Sequence, residues 1–235
     1  RAISTSDPVA KIVASGKTPA GTHRPIMVDE IMDYVAAQPG ETAVDCTLGY
    51  GGHSRILVEA LQPGGKLYGL DVDPIEQPRT ERRLRAAGHG TEAFQARHMN
   101  FAGLPKLIAQ EQLEGFDIVI ADLGVSSMQI DNPERGFTFK ADGPLDLRLN
   151  PGHGQSAAGL LTNTTVEKLA AILAENADEP RAELLSEAIL LAQKTKPLRR
   201  TRQLAQTIQA ALTNSAHYVS ETDITDTQRR VFQAL

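Results

Sequence analysis

The chain has 235 residues, of which 41% are hydrophobic, enough to bury the core of one large domain or of one domain carrying an insertion. Its apolar runs fall short of the roughly 20 residues of a membrane-spanning helix, and the N-terminus lacks the apolar stretch of a secretory signal. The net charge of -5 argues against unselective nucleic-acid binding. We therefore expect a soluble, intracellular protein.

The first half of the chain alternates predicted helices and strands. Residues 1–22 are polar and without apolar periodicity, so we expect a flexible lead-in. Beyond them the periodicity predicts helices at 28–37, 54–61, 75–87 and 101–113, and strands at 42–44, 67–70, 93–96 and 116–121. This alternation predicts an α/β fold with a parallel, doubly wound sheet. Ligands of such sheets bind beyond the carboxyl ends of the strands, where Asp45, Asp71, Phe101 and Asp122 fall.

The second half follows a different pattern. A loop rich in glycine, proline and charge runs from about 128 to 155, and helical segments are predicted near 165–176, 181–195 and 201–213. We predict a cofactor-binding domain at 23–128 and an inserted, mainly helical substrate-recognition domain at 129–220. Residues 221–235 would begin a helix that returns to the first domain. Four strands are few for such a sheet, so we expect its C-terminal strands in sequence missing from this chain.

A glycine-rich turn follows the first predicted strand, with the sequence Asp45-Cys46-Thr47-Leu48-Gly49-Tyr50-Gly51-Gly52-His53-Ser54. Its glycines permit a tight turn and the close approach of backbone to a ligand. About twenty residues further on, Asp71 can accept hydrogen bonds from both hydroxyls of a ribose. The turn lacks the Gly-x-Gly-x-x-Gly of dinucleotide sites and the Gly-Lys-Ser/Thr of phosphate loops. A cofactor with a nucleoside but no phosphate fits these residues better, and S-adenosylmethionine is such a cofactor. The alternative is that the glycines only turn the chain and bind no ligand.

Cysteine and histidine usage adds little chemistry. The single cysteine, Cys46, suits a reducing compartment, and we expect it to pack beneath the turn rather than act as a nucleophile. The six histidines are scattered along the chain without metal-ligand spacing, so we expect no metal site.

Two later stretches carry concentrated positive charge. In the loop after the fourth strand, three basic residues accompany Phe137 and Phe139. This mixture is suited to phosphate contact and base stacking. The alternative is a folded loop whose phenylalanines belong to the core. A basic stretch at 194–202 could bind nucleic acid or be a solvated helix end. The residues predicted to contact RNA are Arg135, Lys140, Arg148, Arg199, Arg200 and Arg202.

Several motifs, in order, resemble those of the bacterial small-subunit rRNA (cytosine-N4)-methyltransferases. They comprise residues 45–54, 70–74, 122–127, 134–139 and 142–148, with His23, Pro25 and Asp29-Glu30 before them and 232–235 after them. The resemblance covers residues 23–235. The chain departs from it at 174–180, where the family carries a Tyr-Gly-Glu-Glu-like segment.

The resemblance implies a Rossmann-like class I methyltransferase that uses S-adenosylmethionine. It places Gly51, Gly52 and His53 beside the methionine part of the cofactor, Asp71 on the ribose and Phe101 against the adenine, with Asp122 and Gln129 closing the pocket. It implies methyl transfer to the exocyclic N4 of a cytidine in the decoding region of small-subunit rRNA, within the assembled or nearly assembled subunit. For the catalytic groups we choose Asp122 and Asp146.

Other functions are compatible with the same residues. One is a methyltransferase that acts on DNA or on a protein amide, and another is a non-catalytic ribosome-assembly factor that keeps the cofactor pocket. We expect a cytoplasmic location, or the plastid or mitochondrial matrix for an organellar homologue, and neither a membrane nor a metal partner.

Overall fold

The computed structural model describes residues 25–214 and 218–235, so His23 and the predicted lead-in at 1–22 lie outside the described residues. The chain divides into two compact units, Arg1–Gly124 and Val125–Leu235. We call them the sheet unit and the helical unit. In the described part of the chain, no helix is both long and apolar enough to cross a membrane.

The sheet unit is built around four parallel strands in the order β3-β2-β1-β4. Its elements are α1 (Val28–Val35), β1 (Thr42–Asp45), α2 (Gly52–Ala60), β2 (Lys66–Asp71), α3 (Glu76–Ala86), β3 (Phe94–His98), a 3-10 turn (Phe101–Gly103), α4 (Leu104–Glu111) and β4 (Ile118–Ile120). This order confirms the predicted α/β fold with a parallel sheet. The strand predicted at 116–121 is shorter than expected, and the helix predicted at 101–113 begins as a 3-10 turn.

The central strands are apolar because both faces of the sheet are covered. Ala43 pairs with Leu67 and Val44 with Tyr68, and successive residues of a strand point to opposite faces. Ala43 and Leu67 join one buried cluster, whereas Val44 and Tyr68 join another. Strands buried on both faces show continuous apolar runs rather than alternation. Because the strands are parallel, the polar residues that end them lie together at the carboxyl edge of the sheet.

The helical unit has its own core. Its elements are α5 (Ser127–Asp131), a 3-10 turn (Pro133–Arg135), α6 (Ala157–Asn163), α7 (Val166–Ala177), α8 (Ala182–Thr195), α9 (Thr201–Thr213) and α10 (Glu221–Ala234). Leu173 of α7, Ile189 of α8 and Ile208 of α9 are each fully buried in one apolar cluster. The sequence predicted α7, α8 and α9 but missed α6, whose seven residues begin at the capping hydroxyl of Ser156.

Helix α10 belongs to the helical unit, in which residues 221–235 fall. Val231 and Phe232 lie in the helical core, and the Gln228 amide donates to the Ala205 carbonyl oxygen at 2.9 Å. Helix α10 packs against α7 and α9, which buries its apolar stripe. The division itself falls between Gly124 and Val125, four residues before the predicted boundary.

Candidate active site

Polar side chains gather at the carboxyl edge of the sheet. Asp45 ends β1, Asp71 ends β2, and Asp122 follows β4 by two residues. Phe101 begins the 3-10 turn after β3. Since β1 lies between β2 and β4 and β2 lies beside β3, the parallel strands bring these residues to one edge of the sheet unit, as the strand pattern predicted.

Asp71 is oriented by the backbone around it. Its Oδ2 accepts a hydrogen bond from the Gly49 N–H at 2.8 Å, and its Oδ1 accepts one from the Asp73 N–H at 2.9 Å. Burial raises the pKa of this carboxyl, and the two backbone donors oppose that rise. Each oxygen of an ionised carboxylate accepts more than one hydrogen bond. Asp71 is thus a fixed, partly buried acceptor that can take two further hydroxyl donors.

Asp45 serves the interior of the site rather than a ligand. Its carboxyl is buried, with Oδ2 accepting from the Ser54 hydroxyl at 2.6 Å and Oδ1 from the Thr47 N–H at 3.0 Å. Burial raises its pKa. The Thr47 hydroxyl oxygen in turn accepts a hydrogen bond from the Asp122 N–H at 2.7 Å. Asp45 and Thr47 therefore tie the end of β1 to the residues after β4.

Protein atoms lie close to two glycines of the turn. A Cβ on Gly51 would lie 2.7 Å from Cγ2 of Thr80, and a Cβ on Gly52 would lie 2.9 Å from Cγ of Pro25. Gly51 also has a φ of 82°, which side chains rarely adopt. The close approach at these two positions is therefore made by the protein itself, by α3 and by the residues before α1.

His53 and Phe101 lie in the sheet unit as predicted, with different surroundings. The His53 ring nitrogen Nε2 lies 2.9 Å from the Ile26 carbonyl oxygen, so the ring contacts the residues before α1. Phe101 keeps 43% of its surface exposed, although large apolar side chains are usually buried. Its ring is therefore available to stack on a planar ligand at the edge of the sheet.

Cys46 behaves as a packing residue. It is buried, and burial raises the pKa of its thiol. A raised pKa leaves little thiolate at neutral pH, and the thiolate is the nucleophilic form. This arrangement agrees with the prediction that Cys46 packs beneath the turn.

Gln129 and Asp146, both predicted site residues, lie in the helical unit. The Gln129 side-chain oxygen accepts from the Ser126 N–H at 2.9 Å as half of a capping box for α5. Both oxygens of Asp146 accept from the Arg148 guanidinium, at 2.7 and 2.6 Å. Those hydrogen bonds lower the pKa of Asp146. Asp146 therefore holds Arg148 in place and is poorly suited to accept a proton.

Two residues predicted to contact RNA belong to the folded interior instead. Arg135 is only 5% exposed, and its guanidinium donates to the carbonyl oxygens of Leu149 at 2.7 Å and Arg148 at 3.2 Å. The prediction of phosphate contact by Arg135 is therefore wrong. Phe139 packs on Phe232 with ring centroids 5.2 Å apart, beside the helical core, which favours the alternative of a folded loop with core phenylalanines. Arg135 is buried because the loop folds back on itself, so that the backbone at Arg148 and Leu149 lies against its guanidinium.

The remaining basic residues share one part of the helical unit. Pro144 and Arg200 form an antiparallel bridge, which joins the loop after the fourth strand to the basic stretch at 194–202. Arg200 pairs with Asp142 at 3.0 Å. Lys140, Arg199 and Arg202 are exposed, and within the described ranges no carboxylate lies within ion-pair distance of them. We call these three residues the basic surface.

Sequence reasoning missed the small polar residues that fix the turn. Thr47, Ser54 and Thr80 all hydrogen-bond at the carboxyl edge. Isolated threonines and serines carry no periodic signal, and only their spatial position gives them a role. Thr80 lies on α3, so its position beside the turn becomes visible only once α3 is packed.

Comparison with known proteins identifies the family. A family model described as the MraW methylase family matches residues 20–235. The chain belongs to this family. That membership agrees with the resemblance drawn from the motifs, since both point to methyl transfer.

Two curated relatives of this family member illustrate the match. Ribosomal RNA small subunit methyltransferase H 2 of Alkaliphilus metalliredigens is 46% identical over 231 residues, covering 98% of this chain and 66% of that protein. Ribosomal RNA small subunit methyltransferase H 1 of Agathobacter rectalis is 44% identical over 235 residues, covering 97% of this chain and 65% of that protein. The chain thus spans about two thirds of the length of these relatives.

Among solved structures, a protein-L-isoaspartate O-methyltransferase aligns with a TM-score of 0.37 at 12% identity, over 52% of this chain and 36% of that one.

Proposed function

We propose that this member of the MraW methylase family binds S-adenosylmethionine and transfers its methyl group to N4 of a cytidine in small-subunit rRNA. The observation that carries the proposal is the carboxylate of Asp71, held by the Gly49 and Asp73 N–H groups at the end of β2. The named relatives, which are rRNA small subunit methyltransferases, support the substrate class.

The residues at the sheet edge fit a nucleoside cofactor. Asp71 offers two oxygens for the ribose hydroxyls, and the exposed Phe101 ring offers an apolar face for the adenine. S-adenosylmethionine supplies an electrophilic methyl group on a sulfonium. The glycine turn would lie beside its methionine part, with Gly51 and Gly52 shaped by their packing on Thr80 and Pro25.

Asp122 is the residue proposed to handle the target amino group. The lone pair of cytosine N4 is delocalised into the ring, which makes the nitrogen a poor nucleophile. It must therefore be oriented in line with the methyl–sulfur bond of S-adenosylmethionine, which breaks as the N–C bond forms. Asp122 is exposed beyond β4, and its backbone N–H is fixed by the Thr47 hydroxyl at 2.7 Å. Its carboxylate would accept a hydrogen bond from the N4 amino group and take the proton released as the N–C bond forms. Asp146, already paired with Arg148, is left out of this role.

The basic surface supplies the proposed contact with RNA. Lys140, Arg199 and Arg202 present exposed charge on a protein of net charge -5, so attraction to phosphate would be local. The target base must leave its stack to reach the site, which favours a cytidine exposed in an assembled or nearly assembled small subunit. We propose a cytoplasmic location for this activity.

The cofactor part of the proposal is tested by titration calorimetry with S-adenosylmethionine. We expect the wild-type chain to bind, and Asp71→Ala to weaken binding by at least about tenfold, because each hydrogen bond to a charged group contributes about 1.5–3 kcal/mol. A chain that does not bind S-adenosylmethionine would contradict the enzyme assignment.

The substrate part is tested separately, by mapping N4-methylcytidine in small-subunit rRNA from cells with and without the gene. We expect one modified position to disappear with the gene and to return with a wild-type copy, but not with an Asp122→Ala copy. Identical maps in both strains would exclude this substrate.

A further inference from the structure

Helix α3 contacts the backbone of the glycine turn through two side chains. Thr80, which is fully buried, donates its hydroxyl proton to the Gly49 carbonyl oxygen. Arg83 Nη2 donates to the Thr80 hydroxyl oxygen at 2.6 Å and lies 3.4 Å from the Tyr50 carbonyl oxygen. A guanidinium can only donate, so the threonine hydroxyl must accept from Arg83 and direct its own proton to Gly49.

The arginine also stacks on the turn. Its guanidinium carbon lies 3.9 Å from the centroid of the Tyr50 ring, within the range of a cation–π contact. The Thr80 methyl group occupies the space that a Cβ on Gly51 would need. Two side chains one turn apart on α3 therefore hold three consecutive residues of the turn.

These contacts lead to Asp71, the residue proposed to bind the ribose. The Gly49 carbonyl oxygen accepts a hydrogen bond from the Thr80 hydroxyl, and the Gly49 N–H donates one to Asp71 at 2.8 Å. A path of hydrogen bonds thus runs from Arg83 through Thr80 and Gly49 to the Asp71 carboxylate. The C=O and N–H of Gly49 belong to adjacent peptide groups that share its Cα, so holding the carbonyl restricts the orientation of the N–H that donates to Asp71.

We propose that Thr80 and Arg83 are positioning residues of the S-adenosylmethionine site, acting through Gly49 on Asp71. This inference rests on the proposed function. Neither residue needs to touch the cofactor, because their effect is to set the orientation of a carboxylate that does. A carboxylate held in one geometry binds the ribose without paying for that ordering on each binding event.

The helical unit offers a matched control. Thr227 is also fully buried, and its hydroxyl accepts from Nη2 of Arg230, three residues later, at 3.0 Å. Thr80 and Arg83 have the same spacing and the same donor and acceptor. Replacing either threonine by valine removes a buried hydroxyl that accepts a hydrogen bond from an arginine three residues later. Only the Thr80 hydroxyl is connected through Gly49 to Asp71.

The first test measures S-adenosylmethionine affinity of the 235-residue chain by titration calorimetry. We expect Thr80→Val to raise the dissociation constant about tenfold, as the loss of one hydrogen bond in a path predicts. Thr80→Ser, which keeps the hydroxyl, and Thr227→Val should stay within about twofold of wild type. Equal affinities for wild type and Thr80→Val would overturn the inference, as would an equal loss in Thr227→Val.

A second test separates positioning from general loss of stability. In a double-mutant cycle with Asp71→Asn, the effect of Thr80→Val should shrink from about tenfold to within about twofold, because both changes act on one path. An undiminished effect would show that Thr80 acts elsewhere. Arg83 is partly exposed, and Arg83→Gln should weaken binding about threefold to fivefold. An unchanged affinity would remove Arg83 from the path. A wild-type chain that fails to bind S-adenosylmethionine would instead refute the proposed function itself.

Discussion

Asp45 is a buried carboxyl whose hydrogen bonds join three parts of the sheet unit. It accepts from Ser54 at the start of α2 and from Thr47 in the turn, and Thr47 holds the Asp122 backbone. Removing a charge from water costs free energy unless hydrogen bonds replace the lost hydration. The network around Asp45 provides those bonds and so makes a buried acid tolerable at the edge of a cofactor site.

The buried carboxyl of Asp45 should give the protein a specific pH dependence. Burial raises its pKa in the folded state, so the folded protein binds this proton more tightly than the unfolded chain. Its stabilising contribution is full below the ordinary aspartate pKa of about 3.9 and is lost as the pH rises through the folded pKa. We expect the free energy of unfolding of wild type, relative to Asp45→Asn, to fall as the pH rises through that window.

Urea unfolding of both proteins at a series of pH values measures this difference. Because every other carboxyl is common to the two proteins, their contributions cancel. A difference that is flat or that increases with pH would contradict the raised pKa of Asp45.

Arg135 and Lys140 separate structural from surface charge in the same loop. Arg135 donates to two backbone carbonyl oxygens in the interior, whereas Lys140 is exposed. We expect Arg135→Met to lower the free energy of unfolding by about 2–3 kcal/mol, because buried carbonyls lose their donors. Lys140→Met should stay within about 0.5 kcal/mol of wild type. Thermal and urea unfolding check both values.

The RNA contact should show the reverse order. Lys140→Glu is expected to weaken association with small-subunit rRNA while Arg135→Met, where it still folds, changes it less, because only Lys140 belongs to the basic surface. Equal stability losses in the two methionine variants would contradict the assignment of Arg135 to the interior.

Residue positions were predictable from the sequence where a strand end fixed them. Asp45, Asp71 and Asp122 follow apolar strands, and the structure finds them together at one edge. Arg135 was misplaced because a charged residue in a polar loop is usually exposed. Nothing local distinguishes an arginine that donates to the carbonyl of a residue fourteen positions away.

At the level of elements, prediction succeeded where burial imposed a period. The apolar runs of β2 and β4 identified strands, although Val119 in β4 is exposed, and the leucine spacing of α7, α8 and α9 identified helices. Helix α6 was missed because seven residues hold fewer than two turns of pattern. The contacts of α10 were missed because periodicity gives the apolar face of a helix but not the surface that covers it.

Two glycines of the sheet unit allow the cost of backbone strain to be measured separately from the cost of packing. Gly40 and Gly51 both have positive φ, at 91° and 82°. A Cβ on Gly40 would meet nothing within 4 Å, whereas one on Gly51 would lie 2.7 Å from Thr80. We expect Gly40→Ala to cost about 1–2 kcal/mol from backbone conformation alone. Gly51→Ala should cost about 1–3 kcal/mol more, because α3 must shift.

Denaturant unfolding of the two alanine variants measures these costs. The combination Gly51→Ala with Thr80→Ser tests the cause, since it removes the methyl group that the new Cβ would meet and should recover part of the loss. Equal costs for Gly40→Ala and Gly51→Ala would mean that packing on α3 does not explain the glycine.

At the scale of the whole molecule, the chain buries its apolar side chains in separate clusters. Every residue of the helical core lies after Gly124, and every residue of the two sheet clusters lies before it. The sequence pattern changes near residue 128, from alternating strands and helices to a loop followed by helices. The exact boundary could not be predicted, because the residues between the units carry no composition break.

Separate cores predict that the two units lose stability separately. Leu57 of α2 is fully buried in the sheet unit and Leu185 of α8 in the helical unit. We expect Leu57→Ala and Leu185→Ala each to cost about 2–5 kcal/mol, from lost burial and the cavity left behind. Since amide exchange reports local opening, each variant should lose protection against hydrogen exchange mainly within its own unit.

Hydrogen exchange followed by mass spectrometry resolves the two units in a single experiment. In Leu185→Ala, peptides from α7, α8 and α9 should exchange faster while those from β1 and β2 keep wild-type rates, and Leu57→Ala should give the opposite pattern. Each variant is thus the control for the other, because the substitution and the burial are the same. Equal acceleration across both units in either variant would mean that the chain opens as one cooperative body, since a shared transition spreads any local loss over all its amides.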